Sequence, residues 1–180
     1  MRDHVLIFGA SGSGTSTLGR EIARSHGVAL FDADDLFWEV TDPPFLHARE
    51  RSERQRLLAQ ALSSESRWVL TGSICGWGDV AIPLLDLAVF VVTPTVLRLE
   101  RLRERERHRF GERLSAGGDM HDQHEAFLAW AAQYDEGPVD MRSRRLHEEW
   151  LKQISCPVVR VDGSRPLDAL RDQISTAMAG

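Results

Sequence analysis

Residues 9–16 read Gly-Ala-Ser-Gly-Ser-Gly-Thr-Ser, and an apolar run that begins at His4 leads directly into them. A short, continuous apolar run bounded by glycine is typical of a buried parallel strand. The next segment carries Leu18 and Ile22 four residues apart and stops at Gly27, which predicts a helix with a glycine at its end. The chain is therefore expected to open with a strand, a glycine-rich turn (residues 9–16, the glycine loop) and a helix.

The same alternation of strand and helix continues along the chain. Apolar runs predict four further strands, at residues 28–31, 67–71, 87–92 and 157–161. Helical patterns cover residues 46–63 and 95–109, two segments that contain Phe127 and Trp150, and a last segment that opens at Pro166. Buried strands that alternate with helices predict an α/β fold with a doubly wound, parallel, five-stranded sheet flanked by helices. Residues 1–180 are expected to form a single domain.

Composition excludes several classes of function. Apolar residues make up 42% of the 180 residues and charged residues 27%, as in an ordinary globular protein. The formal net charge of −5 argues against nucleic acid and anionic membranes as partners. No apolar run is long enough to cross a bilayer, and the first one is too short for a signal peptide, so we expect a cytoplasmic protein. The sequence carries no sign of its oligomeric state.

The basic residues are almost all of one type. Of the 22 basic residues only Lys152 is a lysine, and the other 21 are arginines. Phosphate or carboxylate groups must therefore be bound by guanidinium groups or by backbone amides.

The glycine loop has the residues that a polyphosphate site needs. Glycines at its first and sixth positions let backbone N–H groups wrap around phosphate oxygens at the N-terminus of the following helix. The loop resembles the Walker A motif, G-x-x-x-x-G-K-[ST], at every fixed position except one, where Thr15 replaces the lysine. Ser16 is placed to bind magnesium. The candidate nucleotide-binding residues of the loop are Gly9, Ser11, Gly12, Ser13, Gly14, Thr15 and Ser16.

Two other interpretations of the glycine loop remain open. A glycine-rich turn between a strand and a helix can exist without binding a ligand. Residues 8–14 also resemble the turn of atypical short-chain dehydrogenases, which bind a nicotinamide dinucleotide. The glycines do not follow the G-x-G-x-x-G spacing of that cofactor site, and the chain is short for such a fold with a substrate site.

Carboxylates follow the second predicted strand, at Asp32, Asp34 and Asp35. Ligands of doubly wound sheets bind at the carboxyl ends of the strands. A phosphoryl-transfer enzyme needs an acid there, either to accept a proton from the acceptor or to order magnesium through water. One of the aspartates is expected to cap the short helix that follows. In an extended stretch Asp32 and Asp34 share a face, so we select these two as candidate catalytic residues.

The helix predicted at residues 95–109 is rich in arginine. Most of its charges are expected to form a solvated face. Four arginines nevertheless fall on one side at helical spacing: Arg98, Arg101, Arg105 and Arg109. Arginines on a mobile lid can neutralise transition-state charge, and these are candidates to replace the missing lysine. We assign Arg101 to nucleotide binding and Arg105 to catalysis. Arg165, in the turn after the fifth strand, is a candidate contact for the nucleotide base, and a simple connection between strand and helix explains this turn equally well.

Other conspicuous residues receive simpler interpretations. Asp86 precedes the fourth strand, at the end of the sheet away from the ligand, and is expected to be structural. His108 and His147 have charged neighbours and give no indication of function. Trp77, in the glycine-rich stretch after the third strand, is a possible wall for a substrate.

Together, the glycine loop, the Asp32-x-Asp34 pair, the arginine-rich helix and the turn at residues 162–166 resemble the nucleoside-monophosphate-kinase-like group of P-loop proteins. Within this group, the acid pair looks most like that of shikimate and gluconate kinases and of small proteins related to adenylate kinase. The resemblance implies the strand order 2-3-1-4-5, with ATP and magnesium on the glycine loop. It makes Ser16 the magnesium ligand and Asp34 the acid that holds the acceptor.

The same resemblance implies a substrate-binding segment at residues 36–60 and a lid insertion at residues 110–140. Two functional hypotheses follow. The first is a small-molecule kinase that transfers the γ-phosphoryl group of ATP to a hydroxyl or phosphate acceptor, with arginine in place of lysine. The second is a catalytically weak nucleotide-binding regulatory protein, since Thr15 cannot do the work of the lysine. An NAD(P)-binding, dehydrogenase-like protein is the third possibility.

Overall fold

The computed structural model describes residues 2–180 of the chain. Within these residues a five-stranded parallel sheet has the order β2-β3-β1-β4-β5. The predicted fold class and strand order are therefore confirmed. The strands are β1 (His4–Gly9), β2 (Ala29–Asp32), β3 (Trp68–Thr71), β4 (Leu87–Val92) and β5 (Val158–Asp162).

Helices cover both faces of the sheet. They are α1 (Thr15–His26), α2 (Ala33–Phe37), α3 (Arg51–Ser63), α4 (Thr95–Phe110), α5 (His121–Ala132), α6 (Arg144–Leu151) and α7 (Leu167–Ala179). Short 3-10 turns lie at Asp79–Leu84, Gly111–Leu114 and Gln133–Asp135. Over residues 2–180, no helix combines the length and the apolar character needed to cross a membrane.

The central strand explains why the sheet is buried on both faces. The side chains of Val5, Leu6, Ile7 and Phe8 in β1 have no solvent exposure. Leu6 and Phe8 belong to a core with α3 and α6 on one face, and Val5 and Ile7 to a second core with α1 and α7 on the other. Side chains alternate between the faces of a strand, so a continuous apolar run fills both cores. This packing fixes the carboxyl end of β1, where the glycine loop begins.

The segment before α3 differs from the sequence prediction. The helix expected over residues 46–63 begins only at Arg51. The preceding chain is extended, because the Arg49 amide donates to the Phe37 carbonyl oxygen (2.9 Å) in a short antiparallel pairing. Backbone groups used in such a pairing are not available to a helix.

Asp86 lies at the amino end of β4, on the edge of the sheet opposite the glycine loop. Its carboxylate accepts hydrogen bonds from the amides of Asp3 and His4, each at 3.0 Å. Asp86 thus fixes the backbone at the start of β1 by hydrogen bonds, and its structural interpretation is confirmed.

Candidate active site

The glycine loop is packed so closely that two of its positions have no room for a side chain. A Cβ on Gly9 would lie 2.5 Å from the carbonyl oxygen of Val91, and a Cβ on Gly12 would lie 2.5 Å from that of Arg98. Gly12 also has a φ of +78°, which side chains rarely tolerate. The loop therefore runs directly over β4 and α4, and glycine is needed for this approach.

The loop exposes backbone N–H groups that have no partner in the protein. Within residues 2–180, a group of amides donates to no protein acceptor: those of Gly12, Gly14, Thr15, Ser16 and Thr17. The hydrogen bonds of α1 start only with the Leu18 amide, and the first helical turn contains no acidic residue. Free N–H groups at a helix N-terminus attract anions, because they add to the positive end of the helix dipole. The geometry fits a phosphate group.

Two arginines of α4 contact the loop backbone. Arg101 Nη1 lies 3.4 Å from the carbonyl oxygen of Ser13 and 3.7 Å from the place where a Cβ on Gly14 would be. Arg98 Nη1 donates to the carbonyl oxygen of Ser11 (3.2 Å), but Arg98 is fully buried. A buried guanidinium cannot reach a ligand bound at the glycine loop, so Arg101 is the better placed of the two to meet a phosphate.

The other arginines selected from the sequence have different surroundings. Arg105 is half exposed and forms an ion pair with the carboxylate of Glu106 at 2.7 Å. Arg109 lies over the ring of Phe45, 5.3 Å from its centre. Arg165 lies on the exposed turn that follows β5. The arginine stripe of α4 is therefore divided between the loop, the helix surface and the segment before α3.

Asp32 joins the glycine loop to the end of β2. Ser16 Oγ donates to one oxygen of its carboxylate (3.0 Å), and the other oxygen accepts the amide of Asp34 (3.0 Å) as the N-cap of α2. The expectation that Asp32 and Asp34 share a face of an extended stretch is wrong, because this cap starts a helix at Ala33. The hydroxyl and carboxylate oxygens of Ser16 and Asp32 are donors that magnesium prefers, and they fit a magnesium site beside the loop.

Asp34 lies in the first turn of α2 with a carboxyl group that solvent still reaches. Surrounding protein nevertheless raises the pKa of this carboxyl by desolvation. Arg142 and Arg105 are near enough for their charges to lower the pKa and offset part of the rise, whereas Asp32 adds to it. A carboxylate whose pKa is raised in this way is suited to taking up a proton.

Arg142 was not identified from the sequence. It precedes α6, and its charge also acts on Cys75, whose thiol pKa is raised to about 12, chiefly by burial. Its guanidinium lies 5.8 Å from the centre of the Trp130 ring. Arg142 belongs to no motif, and only the tertiary fold brings it to the residues that follow β2 and β3.

A second arginine outside the motifs is Arg54, on α3. Its guanidinium lies 4.2 Å from the ring centre of Phe37 and 5.9 Å from that of Trp77. Its buried Nε has no hydrogen-bond partner within residues 2–180. The rings hold the guanidinium in place by cation–π contact. Arg54 therefore holds a positive charge at a fixed place beside α2.

His147 is a buried member of a hydrogen-bond chain. It has no solvent exposure; its Nε2 lies 2.9 Å from Ser73 Oγ and its Nδ1 lies 2.8 Å from Tyr134 Oη. Burial, and secondarily the charge of Arg142, lower the pKa of His147 to about 3. The imidazole is neutral in the fold and links the end of β3 to the segment between α5 and α6.

We expect the protein to lose stability as pH falls, because of His147. Its pKa is about 3 in the fold and 6.5 in its ordinary state, so the unfolded chain binds more protons between these values. The stabilisation is complete above pH 6.5 and is lost progressively below it, by at most about 1.4 kcal/mol per pH unit. Denaturant unfolding between pH 4 and 8 measures this slope.

His147→Gln should flatten the pH dependence of the free energy of unfolding. His108→Gln, at an exposed position of α4, should leave this dependence unchanged. A His147→Gln protein with the full slope of the unsubstituted chain would assign the proton uptake to other groups.

The segment before α3 touches the insertion that follows α4. The contacts are an ion pair between Asp42 and Arg113 (2.7 Å) and a hydrogen bond from Gln123 to the carbonyl oxygen of Pro44 (2.9 Å). Arg109, near the end of α4, lies over the ring of Phe45 in the same segment. The two segments, expected from the sequence to bind the substrate and to form the lid, therefore meet in this structure.

Comparison with known proteins places these features in a family. A family model described as an AAA domain matches residues 5–125, which include the glycine loop, both aspartates and α4. The chain belongs to this AAA domain family. The "Uncharacterized protein YqaC" of Bacillus subtilis (strain 168) is 39% identical to this AAA-domain chain over 174 residues, 97% of the chain and 96% of YqaC.

Two kinases are also similar to the AAA-domain chain. Cytidylate kinase of Desulfurococcus amylolyticus is 24% identical over 122 residues, 62% of this chain and 65% of the kinase. The structure of shikimate kinase from Acinetobacter baumannii in complex with shikimate has a TM-score of 0.58 at 16% identity, over 98% of this chain and 93% of that one. These matches confirm the expected P-loop fold of the nucleoside-monophosphate-kinase-like group.

Proposed function

We propose that this AAA-domain chain is a small-molecule kinase that transfers the γ-phosphoryl group of ATP to a hydroxyl or phosphate group of a small acceptor. The observation that carries the proposal is the 3.0 Å hydrogen bond between Ser16 and Asp32, beside the free amides of the glycine loop. A loop that served only as a turn would have no need of this pair. The kinase-like fold supports the same reaction class.

The nucleotide side of the site is built from the glycine loop and Arg101. The free amides bind phosphate oxygens, and Arg101 supplies the positive charge that Thr15 lacks. When bound, magnesium would neutralise charge on the phosphates, held next to the Ser16 hydroxyl and the Asp32 carboxylate. Arginine suits this task because its planar group can bind two phosphate oxygens at once.

The acceptor side of the site is built around Asp34. Its carboxylate takes the proton of the acceptor hydroxyl as the hydroxyl oxygen attacks the γ-phosphorus and ADP leaves. Arg54 and Arg142 provide positive charge for an acceptor that carries a carboxylate or a phosphate. The acceptor is therefore proposed to be a small anion with a free hydroxyl or phosphate group.

Contact between the segment before α3 and the insertion serves to exclude water. Phosphoryl transfer to an acceptor competes with transfer to water, so the site must be covered during the reaction. The Asp42–Arg113 ion pair is one contact that holds the covered state.

Thermal unfolding with saturating Mg-ATP, Mg-ADP and NADPH, measured in parallel, tests the nucleotide part of the proposal. A ligand at a hundred times its Kd stabilises the fold by roughly 2.7 kcal/mol, which shifts Tm by several degrees. We expect both adenine nucleotides to raise Tm and NADPH to leave it unchanged. A shift with NADPH alone would indicate a dehydrogenase-like site, and no shift with any of the three would overturn nucleotide binding.

ADP release with a panel of acceptors tests the transfer itself. The panel contains nucleoside monophosphates and hydroxy acids, the two kinds of small anion that the arginines could bind. Tight binding of ATP without turnover on any acceptor would favour the second hypothesis, a nucleotide-binding regulatory protein. Thr15 at the lysine position is the observation that supports this alternative.

Arg101→Gln is expected to weaken Mg-ADP binding by about tenfold to a hundredfold, because a charge-assisted contact to phosphate is lost. Thr15→Lys in the same chain should restore part of the affinity by supplying the charge from the loop. Isothermal titration measures both effects. Arg103→Gln, on the exposed side of α4, is the matched control. An Arg101→Gln protein with unchanged affinity would remove Arg101 from the site.

A further inference from the structure

The glycine loop is held from one side at two of its carbonyl groups. The carbonyl oxygen of Ser11 accepts a hydrogen bond from Arg98 Nη1 (3.2 Å). The carbonyl oxygen of Ser13 accepts one from Thr93 Oγ1 (3.1 Å) and one from Arg101 Nη1 (3.4 Å). These donors all belong to α4 or to the residues that lead into it from β4. Both carbonyl groups therefore point toward α4.

Peptide geometry then fixes the direction of two amides. In a trans peptide the C=O group and the N–H group of the next residue point in opposite directions, and the peptides after Ser11 and Ser13 are trans. Carbonyl groups that face α4 turn the amides of Gly12 and Gly14 away from it. These amides are among those with no acceptor within residues 2–180. The donors around α4 thus set the direction in which the loop presents its free N–H groups.

Arg98 is fixed more firmly than an ordinary loop contact. It has no solvent exposure, and its Nη1 also donates to the carbonyl oxygen of Ala131 (3.2 Å). Its Nη2 donates to Thr95 Oγ1 (2.8 Å) and lies 3.7 Å from the carboxylate of Asp135. A planar guanidinium with partners on several sides has a single orientation. It therefore offers Ser11 a donor at a fixed place.

We propose that Arg98 is a positioning residue for nucleotide binding: it holds the Ser11 carbonyl group so that the Gly12 amide faces the phosphate. Arg98 touches no ligand and acts through the loop backbone. Two of its other partners, Ala131 and Asp135, belong to the insertion after α4, so the insertion also fixes the loop. The inference rests on the proposed function, because it takes phosphate as the ligand of the loop.

The test compares Arg98→Lys and Asp135→Asn with Arg103→Lys as the control. Lysine keeps the charge but cannot contact Ser11, Ala131 and Thr95 at once, and Asp135→Asn leaves the loop itself untouched. Three quantities are measured on each full-length protein: Tm, the amide resonances of ¹⁵N-labelled glycines without ligand, and the Kd for Mg-ADP.

We expect Arg98→Lys to shift the Gly12 resonance, leave the Gly27 resonance in place, and raise the Kd about tenfold or more. Its Tm should fall, because lysine cannot replace all of the buried hydrogen bonds of the guanidinium. Asp135→Asn should act in the same direction with a smaller effect, and Arg103→Lys should change none of the three. An unmoved Gly12 resonance with a Kd within twofold of the unsubstituted protein would overturn the proposal.

Two further outcomes are also decisive. If Arg98→Lys does not fold, the Gly12 resonance and the Kd of Asp135→Asn decide the question. If the unsubstituted protein binds no Mg-ADP, the proposed function fails, and the Gly12 resonance still shows whether Arg98 sets the loop backbone.

Discussion

Gly12→Ala is expected to weaken Mg-ADP binding by more than about a hundredfold and to lower the free energy of unfolding by about 2–4 kcal/mol. A Cβ at this position would lie 2.5 Å from the carbonyl oxygen of Arg98 and 2.9 Å from Leu102 Cγ. The Arg98 carbonyl group is part of the α4 backbone and cannot move cheaply, so the glycine loop must move instead. Displacement of the loop breaks the contact between Arg98 and Ser11 and turns the free amides away from the phosphate.

Gly27→Ala is the matched control for this prediction. Gly27 has a φ of +61°, but a Cβ there would meet no atom within 4 Å. Its substitution should therefore cost only backbone strain, about 1 kcal/mol, and leave nucleotide affinity unchanged. Denaturant unfolding and isothermal titration give the two quantities. Equal affinity of the two variants would mean that close packing of the loop on α4 is not needed for binding.

The fold could be predicted from the sequence because its strands are local features. Each strand is a short apolar run, and the glycine loop marks the end of the first one, so the alternation of strands and helices could be predicted from these runs. The strand order came only from the resemblance to the nucleoside-monophosphate-kinase-like group. The start of α3 was missed for a non-local reason. The Arg49–Phe37 pairing joins the end of α2 to the chain before α3, and the pattern of residues 46–50 alone does not reveal it.

Site residues could be predicted from the sequence only where they form a local motif, because only then do neighbouring residues indicate the chemistry. The loop and the two aspartates met this condition. Arg98 was expected near a ligand, yet its position four residues before the buried Leu102 places it on the inner face of α4. His147 likewise precedes Trp150 and Leu151 at helical spacing, a signal of burial that its charged neighbours obscured. Arg142 gave no local signal.

Asp34→Asn is expected to reduce kcat by about 10²- to 10⁴-fold and to leave Mg-ADP affinity unchanged. Asparagine keeps the size and polarity of the side chain but cannot take a proton from the acceptor. The nucleotide side should remain intact, because Asp34 contacts Asp32 through its backbone amide, which the substitution retains. ADP release with a responsive acceptor and isothermal titration with Mg-ADP separate the two effects.

Asp35→Asn is the control, since Asp35 is the next residue of α2 and its pKa is also raised by desolvation and by Asp32. Loss of kcat in this variant to the same extent would show that negative charge on α2, and not a base at one atom, supports the reaction.

The pH profile gives an independent readout of the proposed base, Asp34. Asp34 must be ionised to accept a proton, and its pKa is raised above its ordinary value of 3.8, so activity should fall on the acid side as pH drops through this raised pKa. Arg142 lowers that pKa, and Arg142→Gln should therefore move the acid limb to higher pH. Removal of a nearby positive charge can only raise the pKa of a carboxyl group. An acid limb that moves to lower pH in Arg142→Gln would therefore place the base on another residue. An acid limb that persists in Asp34→Asn would do the same.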